Sequence, residues 1–406
     1  MRLLLLAASM ASLPYATTPA AALKLKGEPF VIEGGLTEVA PGYSLIDSWY
    51  TPPTSILFES RSGDIAVFFP DEANLKTSLY FKLLNANGSQ KWAKTRVRHS
   101  PVIHQISERR ALFGSGVIEL PDGAFLTSYT KPISSRSTGL YTQKVMNGEK
   151  IGKPEVIVKS DVTDSPSNVY PELDAVLVPT SKAGTMIWRA RADDLPPLTE
   201  AAAVNQAGNV SARSRKILGR NQRPWQVAAE GSGFAVAYSG RRFQKNYKYQ
   251  AFDRHGVPVG SSTVLRKSGE AGLGSFGFVK LSNGDTACFL VKNLPNDGGS
   301  LTFVEIRDAS GTIVHPAAKV APTIARYWAV PGGFVIAYAT SSSQSRYTVI
   351  ERYNGSVEKV GATVTVPGWS VFQVLPLTNG DALVAYSKRL EGEPRREDLM
   401  GQFLSP

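Results

Sequence analysis

One short strand is written repeatedly along this chain. "AFLTSY", "FAVAY", "TACFL", "FVIAY" and "ALVAY" recur, and tight turns such as "LPDG", "LSNG", "VPGG" and "LTNG" introduce them. A third strand ending in another Gly turn follows ("YTQKVMNG", "YQAFDRHG", "FVEIRDASG", "VIERYNG"), then a fourth ("GKPEVIVKS", "VGSSTVLRK", "VGATVTVPG"). Apolar residues almost nowhere recur at helical spacing over ten positions. Period-two runs of five to eight residues, punctuated by 36 glycines and 26 prolines, mark an all-β chain.

The end of the second strand falls at Phe69, Tyr129, about Arg189, Tyr238, Leu290, Tyr338 and Tyr386, with spacings of 60, 60, 49, 52, 48 and 48. Seven four-stranded units at this period predict a seven-bladed β-propeller, because solenoid coils usually run shorter. The seventh unit stops after its third strand, "EDLMGQFLSP". The segment Gly27-Glu28-Pro29-Phe30-Val31-Ile32 reads like the fourth strand Gly152-Lys153-Pro154-Glu155-Val156-Ile157. A ring must join its ends or leave sheet edges open. The N-terminal strand is therefore expected to complete the last blade, burying Phe30, Val31 and Ile32.

The run Phe252-Asp253-Arg254-His255-Gly256-Val257-Pro258-Val259-Gly260 resembles the blade text of secreted bacterial β-propeller repeat proteins. That resemblance implies architecture and leaves activity open. The Asp-box turn of sialidase-type propellers, S-x-D-x-G-x-x-W, does not occur, which argues against sialidase activity.

Arg2, an apolar run from Leu3 and the small residues Ala20-Ala21-Ala22 have the layout of a secretory signal peptide, residues 1–22, with a single propeller domain over 23–406. The apolar run is too short to span a bilayer. The expected location is periplasmic or extracellular. Cys288 is the only cysteine, so no intramolecular disulfide framework exists, and its apolar neighbours point to a buried thiol. Four histidines without ligand spacing predict no metal site, and no cofactor is expected.

Removing the leader takes the net charge from +11 to +10 (44 − 34). Such a balance favours polyanionic partners. In a four-stranded blade, the turns after strands one and three share one face, and the connections after strands two and four share the other. The first face has Gly turns with little charge, whose aspartates read as turn residues. The second collects Lys131, Arg189, Arg191, Arg241, Arg242, Lys388 and Arg389, with Arg96, Arg98, Arg213, Arg215, Lys216, Arg220, Arg223, Arg266 and Arg326 assigned around the fourth strands; Asp71, Glu72, Asp193 and Asp194 share some of these loops, so the face is not uniformly positive. Arginine suits carboxylate, sulfate or phosphate. Lys131, Arg189, Arg191, Arg241, Arg242, Arg389 and Trp188 are the candidate ligand contacts. For Trp188, sugar stacking and core burial are both open. The recurring tyrosines are expected mainly to pack between blades.

Residues 96–116 depart from the repeat and hold His99 and His104 beside four arginines. A histidine with tyrosine and arginine could abstract the C5 proton of a uronic acid while arginine neutralises the carboxylate. The candidate set is His99 or His104, Tyr170, Arg189 and Tyr238, loosely like that of propeller-type polysaccharide lyases. Three functions stand open: binding of an anionic glycan or envelope polymer, a polysaccharide lyase or hydrolase on acidic polysaccharide, and a protein-interaction module. Nucleic acid is disfavoured, because no recognised module accompanies the charge.

Overall fold

The computed structural model describes residues 23–37, 57–73, 76–99, 116–134, 137–161, 174–180, 183–190, 198–211, 214–220, 223–239, 247–266, 273–294, 299–323, 325–341, 346–367, 370–390, 392 and 396–405. Strand β1 (Lys24–Thr37) comes first in the chain and last in the ring. Blade one is Leu57–Glu59, Ile65–Ala73, Lys76–Leu84 and Gln90–His99 (β2 to β5). Blade two is Gly116–Glu119, Phe125–Ser134, Ser137–Met146 and Glu149–Asp161 (β6 to β9), and blade three Asp174–Pro179, Gly184–Ala190, Leu198–Val204 and Lys216–Arg220 (β10 to β13). Blade four is Arg223–Glu230, Gly233–Ser239, Tyr247–Phe252 and Pro258–Arg266 (β14 to β17), and blade five Leu273–Lys280, Thr286–Asn293, Ser300–Arg307 and Ile313–Ala321 (β18 to β21). Blade six is Arg326–Val330, Gly333–Ser341, Arg346–Asn354 and Val364–Pro367 (β22 to β25). Blade seven is Ser370–Pro376, Ala382–Arg389, Arg396–Ser405 (β26 to β28) and β1. The fold is the expected seven-bladed all-β propeller, every pairing antiparallel.

Strand β1 lies on β28, with Lys24 opposite Ser405 and Thr37 opposite Arg396. It reproduces a feature of the other fourth strands. Gly27, Gly152 and Gly260 sit at φ +70°, +70° and +68°, where each fourth strand slips its register against the third. A Cβ would be strained there, so glycine admits the bulge. A glutamine on the third strand spans each bulge: Gln143 donates to Ile151 O, Gln250 to Val259 O and Gly260 O, Gln402 to Lys26 O and Gly27 O. These bonds satisfy carbonyls that the slipped ladder leaves unpaired.

Leu23 and Ile32 are buried, and Phe30 packs closely over Gly401 and, in blade one, Gly88. Val31 is 54% exposed, contrary to expectation, because it alternates to the solvent side between Phe30 and Ile32. Glu33 ties the seam further: Lys82 and Lys94 of blade one donate to it at 3.1 and 2.6 Å, and Lys82 also donates to Ile32 O. At the inner wall Gln373 clasps Leu57, accepting from its N–H at 2.9 Å and donating to its carbonyl at 3.0 Å. The core consists of apolar layers between successive blades. Cys288 is buried in the layer containing Tyr249 and Phe278.

Candidate functional site: the loop face

Strand direction defines two faces. First strands run toward tight turns and second strands away from them, so one face carries the hairpin turns and the other the longer connections. On the turn face, aspartates and asparagines fold the turns themselves. Asp253 accepts from the N–H groups of His255 and Val257, Asp308 from those of Ser310 and Thr312, and Asn354 from those of Ser356 and Glu358. The hydroxyl and N–H groups around Asp308 hold its carboxyl below the usual range. Lysines neutralise others: Lys26 reaches Asp381, Lys91 reaches Asp64, and Lys144 reaches Asp122, at 2.5, 2.5 and 2.6 Å.

The strand ends on the loop side carry a different balance of charged residues. Among residues that open or close a strand on that side, eight are basic: Lys76, Arg220, Arg223, Arg266, Arg326, Arg346, Arg389 and Arg396. Two are acidic, Asp161 and Asp174. The same positions on the turn face hold four basic residues (Lys24, Lys216, Lys280, Arg307) and four acidic ones (Glu59, Glu119, Glu149, Glu230). The balance is +6 against zero. Seven of the eight loop-face cations are arginines, forks suited to planar anions.

The residues singled out from sequence divide into three groups. Arg189 closes on the loop-face end of β11, its backbone between Asp174 and Thr199; Lys131 sits half-buried opposite Gly139, and Arg389 is exposed opposite Glu397. Arg191, Arg241, Arg242, His104 and Tyr170 lie outside the described residues.

Trp188 is corrected to a core residue. Its ring is 2% exposed in the layer between blades two and three, and Nε1 donates to Glu200 at 2.9 Å. Arg215 donates to both Glu200 oxygens at 2.7 and 2.6 Å and lies over the Trp188 ring. Hydrogen bonding to Glu200 raises the Arg215 guanidinium further above its usual range. Arg215 thus precedes β13 on the flank of blade three, Lys216 opens that strand at the turn face, and Arg96 lies within β5. None of the three belongs to a loop-face connection.

Of the proton-abstraction set, His104 and Tyr170 lie outside the described residues, and the other members come from three different blades. His99 ends β5, the outermost strand of blade one, whereas Tyr238 lies on the second strand of blade four. Burial pushes the Tyr238 phenol up, opposed by a hydrogen bond with Ser262 on the outer strand of its own blade. Tyr129 and Tyr386 are buried between blades, while Tyr238 and Tyr338 are half-buried. Among the described residues no three His, Cys, Asp or Glu side chains gather as a metal site, and no helix is long and apolar enough to cross a membrane.

Sequence reasoning missed two groups. One is the buried Glu351, which accepts from Tyr353 (3.1 Å), Lys359 (2.7 Å) and Thr363 (3.0 Å). The other is Tyr347, exposed near the start of β24. The only sequence signal for Tyr347 is its place directly after a hydroxyl-rich connection.

No protein-family model matches the chain, and no curated protein does. Solved structures do. A polysaccharide lyase, Uly1, superposes with a TM-score of 0.60 at 9% identity, over 94% of this chain and 99% of that one. An ulvan lyase of polysaccharide lyase family 25, bound to a GlcA–Rha3S saccharide, gives 0.56 at 9% identity over 92% and 95%. The α-L-arabinofuranosidase Arb93A from Fusarium graminearum gives 0.44 at 13% identity over 75% and 95%. At such identities the likeness to the two lyases establishes a shared fold. This chain, a seven-bladed propeller, shares their fold over more than nine-tenths of its length.

Proposed function

We propose that this protein is exported and binds an acidic polysaccharide or envelope polymer through its loop face. The observation that carries this reading is the asymmetry of strand ends, eight basic to two acidic on the loop face and four to four on the turn face. Charge gathered on one face of a disc focuses a field that an even distribution would not produce. The ulvan lyase structure is an instance of this fold taking an anionic saccharide.

The test is an affinity titration against heparin and alginate at two salt concentrations. Charge reversal at Arg241 and Arg242, on the connection between β15 and β16, should weaken binding strongly, and binding of the parent should fall as salt rises. The Debye length shrinks from about 10 Å at 0.1 M to about 3 Å at 1 M. Lys150→Glu, at the turn-face end of β9 where Lys150 is exposed, is the control and should change little. Equal losses in both variants would refute a one-face site.

A further inference from the structure

The fourth strand of each blade is the last of its sheet, so its outer edge carries backbone N–H and C=O groups that no neighbouring strand takes. Six of the seven edges are blunted. β1, β9 and β21 hold Pro29, Pro154 and Pro316, and β25 is four residues long and ends on Pro367. β5 carries Lys91, Lys94, Arg96 and Arg98, and β13 is five residues long between Lys216 and Arg220. Proline withholds a donor, and edge charges repel an incoming strand. β17 has neither device. Its one proline, Pro258, is its first residue, and residues 259–265 read Val-Gly-Ser-Ser-Thr-Val-Leu without proline or charge. In the other fourth strands the longest run of that kind is residues 34–37. The Gly260 bulge, which β1 and β9 share in kind, lies near the start of β17 and leaves residues 261–264 beyond it.

The surface around this edge is apolar. Val259 is 56% exposed, and Val257 and Val264 are exposed with it. The Gly256 turn abuts Lys216 and Leu218 of blade three, and the Gly311 turn of blade five abuts Thr263. Exposed Ile217 on one side, and exposed Ile313 and Val314 on the other, therefore border the same patch. Aliphatic residues gathered in solvent beside an unpaired edge mark an interaction surface.

Such an edge takes another extended strand, and β17 fits its own copy. A twofold axis through Ser262 sets Ser261 opposite Thr263 and Gly260 opposite Val264 in an antiparallel pair, and position 266 falls opposite Pro258, so no like charges meet. The same operation on β5 sets Lys94 against itself or against Arg96, and on β9 it sets Glu155 against itself. Like charges directly opposite are destabilising. We propose that the outer edge of blade four is a homodimer interface, in which β17 pairs antiparallel with β17 of a second copy and joins the two blades into one continuous sheet. Because β17 runs from the turn face to the loop face, this pairing points the two loop faces in opposite directions.

Light scattering on the full protein, across about a hundredfold range of concentration, reads the oligomeric state. The parent should approach twice the monomer mass at the upper end. Val259→Lys and Ser261→Lys each set a cation from either copy into the interface and should weaken association by about tenfold or more. Val156→Lys, at an exposed position on β9, is the control and should dimerise as the parent does. Far-ultraviolet circular dichroism checks the fold of each variant, and Ser261→Lys, at an exposed polar position, stands alone if Val259→Lys unfolds. A parent that is monomeric at every concentration overturns the interface, whatever other chain it binds. A dimer that survives the folded β17 lysine variants, or that Val156→Lys dissolves, overturns it too.

Discussion

Trp188, Glu200 and Arg215 form a stack in which each group satisfies another. A buried carboxylate left without donors would cost several kcal/mol, and here it receives the indole N–H and two guanidinium N–H groups. Trp188→Ala should therefore destabilise the protein by about 3–5 kcal/mol, the usual range for emptying a buried tryptophan site. Urea unfolding measures the loss, and glycan affinity of the folded variant should not change. A change in affinity at constant stability would return Trp188 to the ligand contacts. Sequence could not decide this, because the side of blade three that Trp188 faces depends on blade two, brought against it only by the ring. Tyr338 supplies a pH test at the same scale. Burial, with Glu351 and then Tyr347, pushes its phenol up to about 12, against 10.0 for a free tyrosine. A folded pKa above the unfolded one means stability present below pH 10 that is lost as pH rises toward 12. Tyr338→Phe should remove part of the alkaline loss of stability between those values, read as the difference in melting temperature between parent and variant across that window. Identical alkaline slopes would mean that Tyr338 ionises as freely folded as unfolded.

The strands and their turns were legible from sequence because hairpins are local: Gly and Asn at fixed offsets specify the turn before any long-range contact forms. The closing strand was legible for the same reason, since β1 repeats the text of a fourth strand. The glutamine bridges were not, because Gln143, Gln250 and Gln402 act across to a neighbouring strand whose slip is invisible until the two are paired. Assigning Arg215 and Lys216 to a connection failed at a related point. After the Asn205–Asn209 turn blade three makes an isolated bridge, Val204 to Val210, so β13 begins late, as β25 does in blade six after the Tyr353 to Lys359 bridge. The value of β1 can be stated in parts. Removing residues 23–34 strips out buried Leu23 and Ile32, at roughly 1.5–3 kcal/mol for each large side chain. It also leaves Lys82 without Glu33 and Ile32 O, and bares the edge of β28. Thermal melting of the truncated protein should begin far below that of the parent. An unchanged midpoint would mean that blade seven stands on three strands. At the inner wall, Gln373→Ala should cost about 1–3 kcal/mol, because Leu57 loses both partners of its clasp.

At the scale of the ring, six blades close their outer hairpins over two to eleven residues, while blade seven joins β28 to β1 across almost the whole chain. Closing a loop of roughly 380 residues instead of about five costs about 4 kcal/mol more in chain entropy, from the logarithmic dependence on loop length. Because Lys24 and Ser405 are ladder partners, two or three residues can join them. A circular permutant so joined, and opened between Asp161 and Asp174, turns the seam of blade seven into an ordinary hairpin. It then leaves the blade two–blade three boundary without a covalent link. That boundary holds Ile118, Leu120, Met186 and Trp188 in one buried layer, so packing alone should keep it shut. The permutant should show the parent's far-ultraviolet spectrum and unfold in urea in a single transition by both circular dichroism and tryptophan fluorescence. Two separated transitions would mean that blades two and three part while the other blades stay folded. In that case the strand shared between the chain ends, rather than the apolar layers between blades, would be what holds the ring closed.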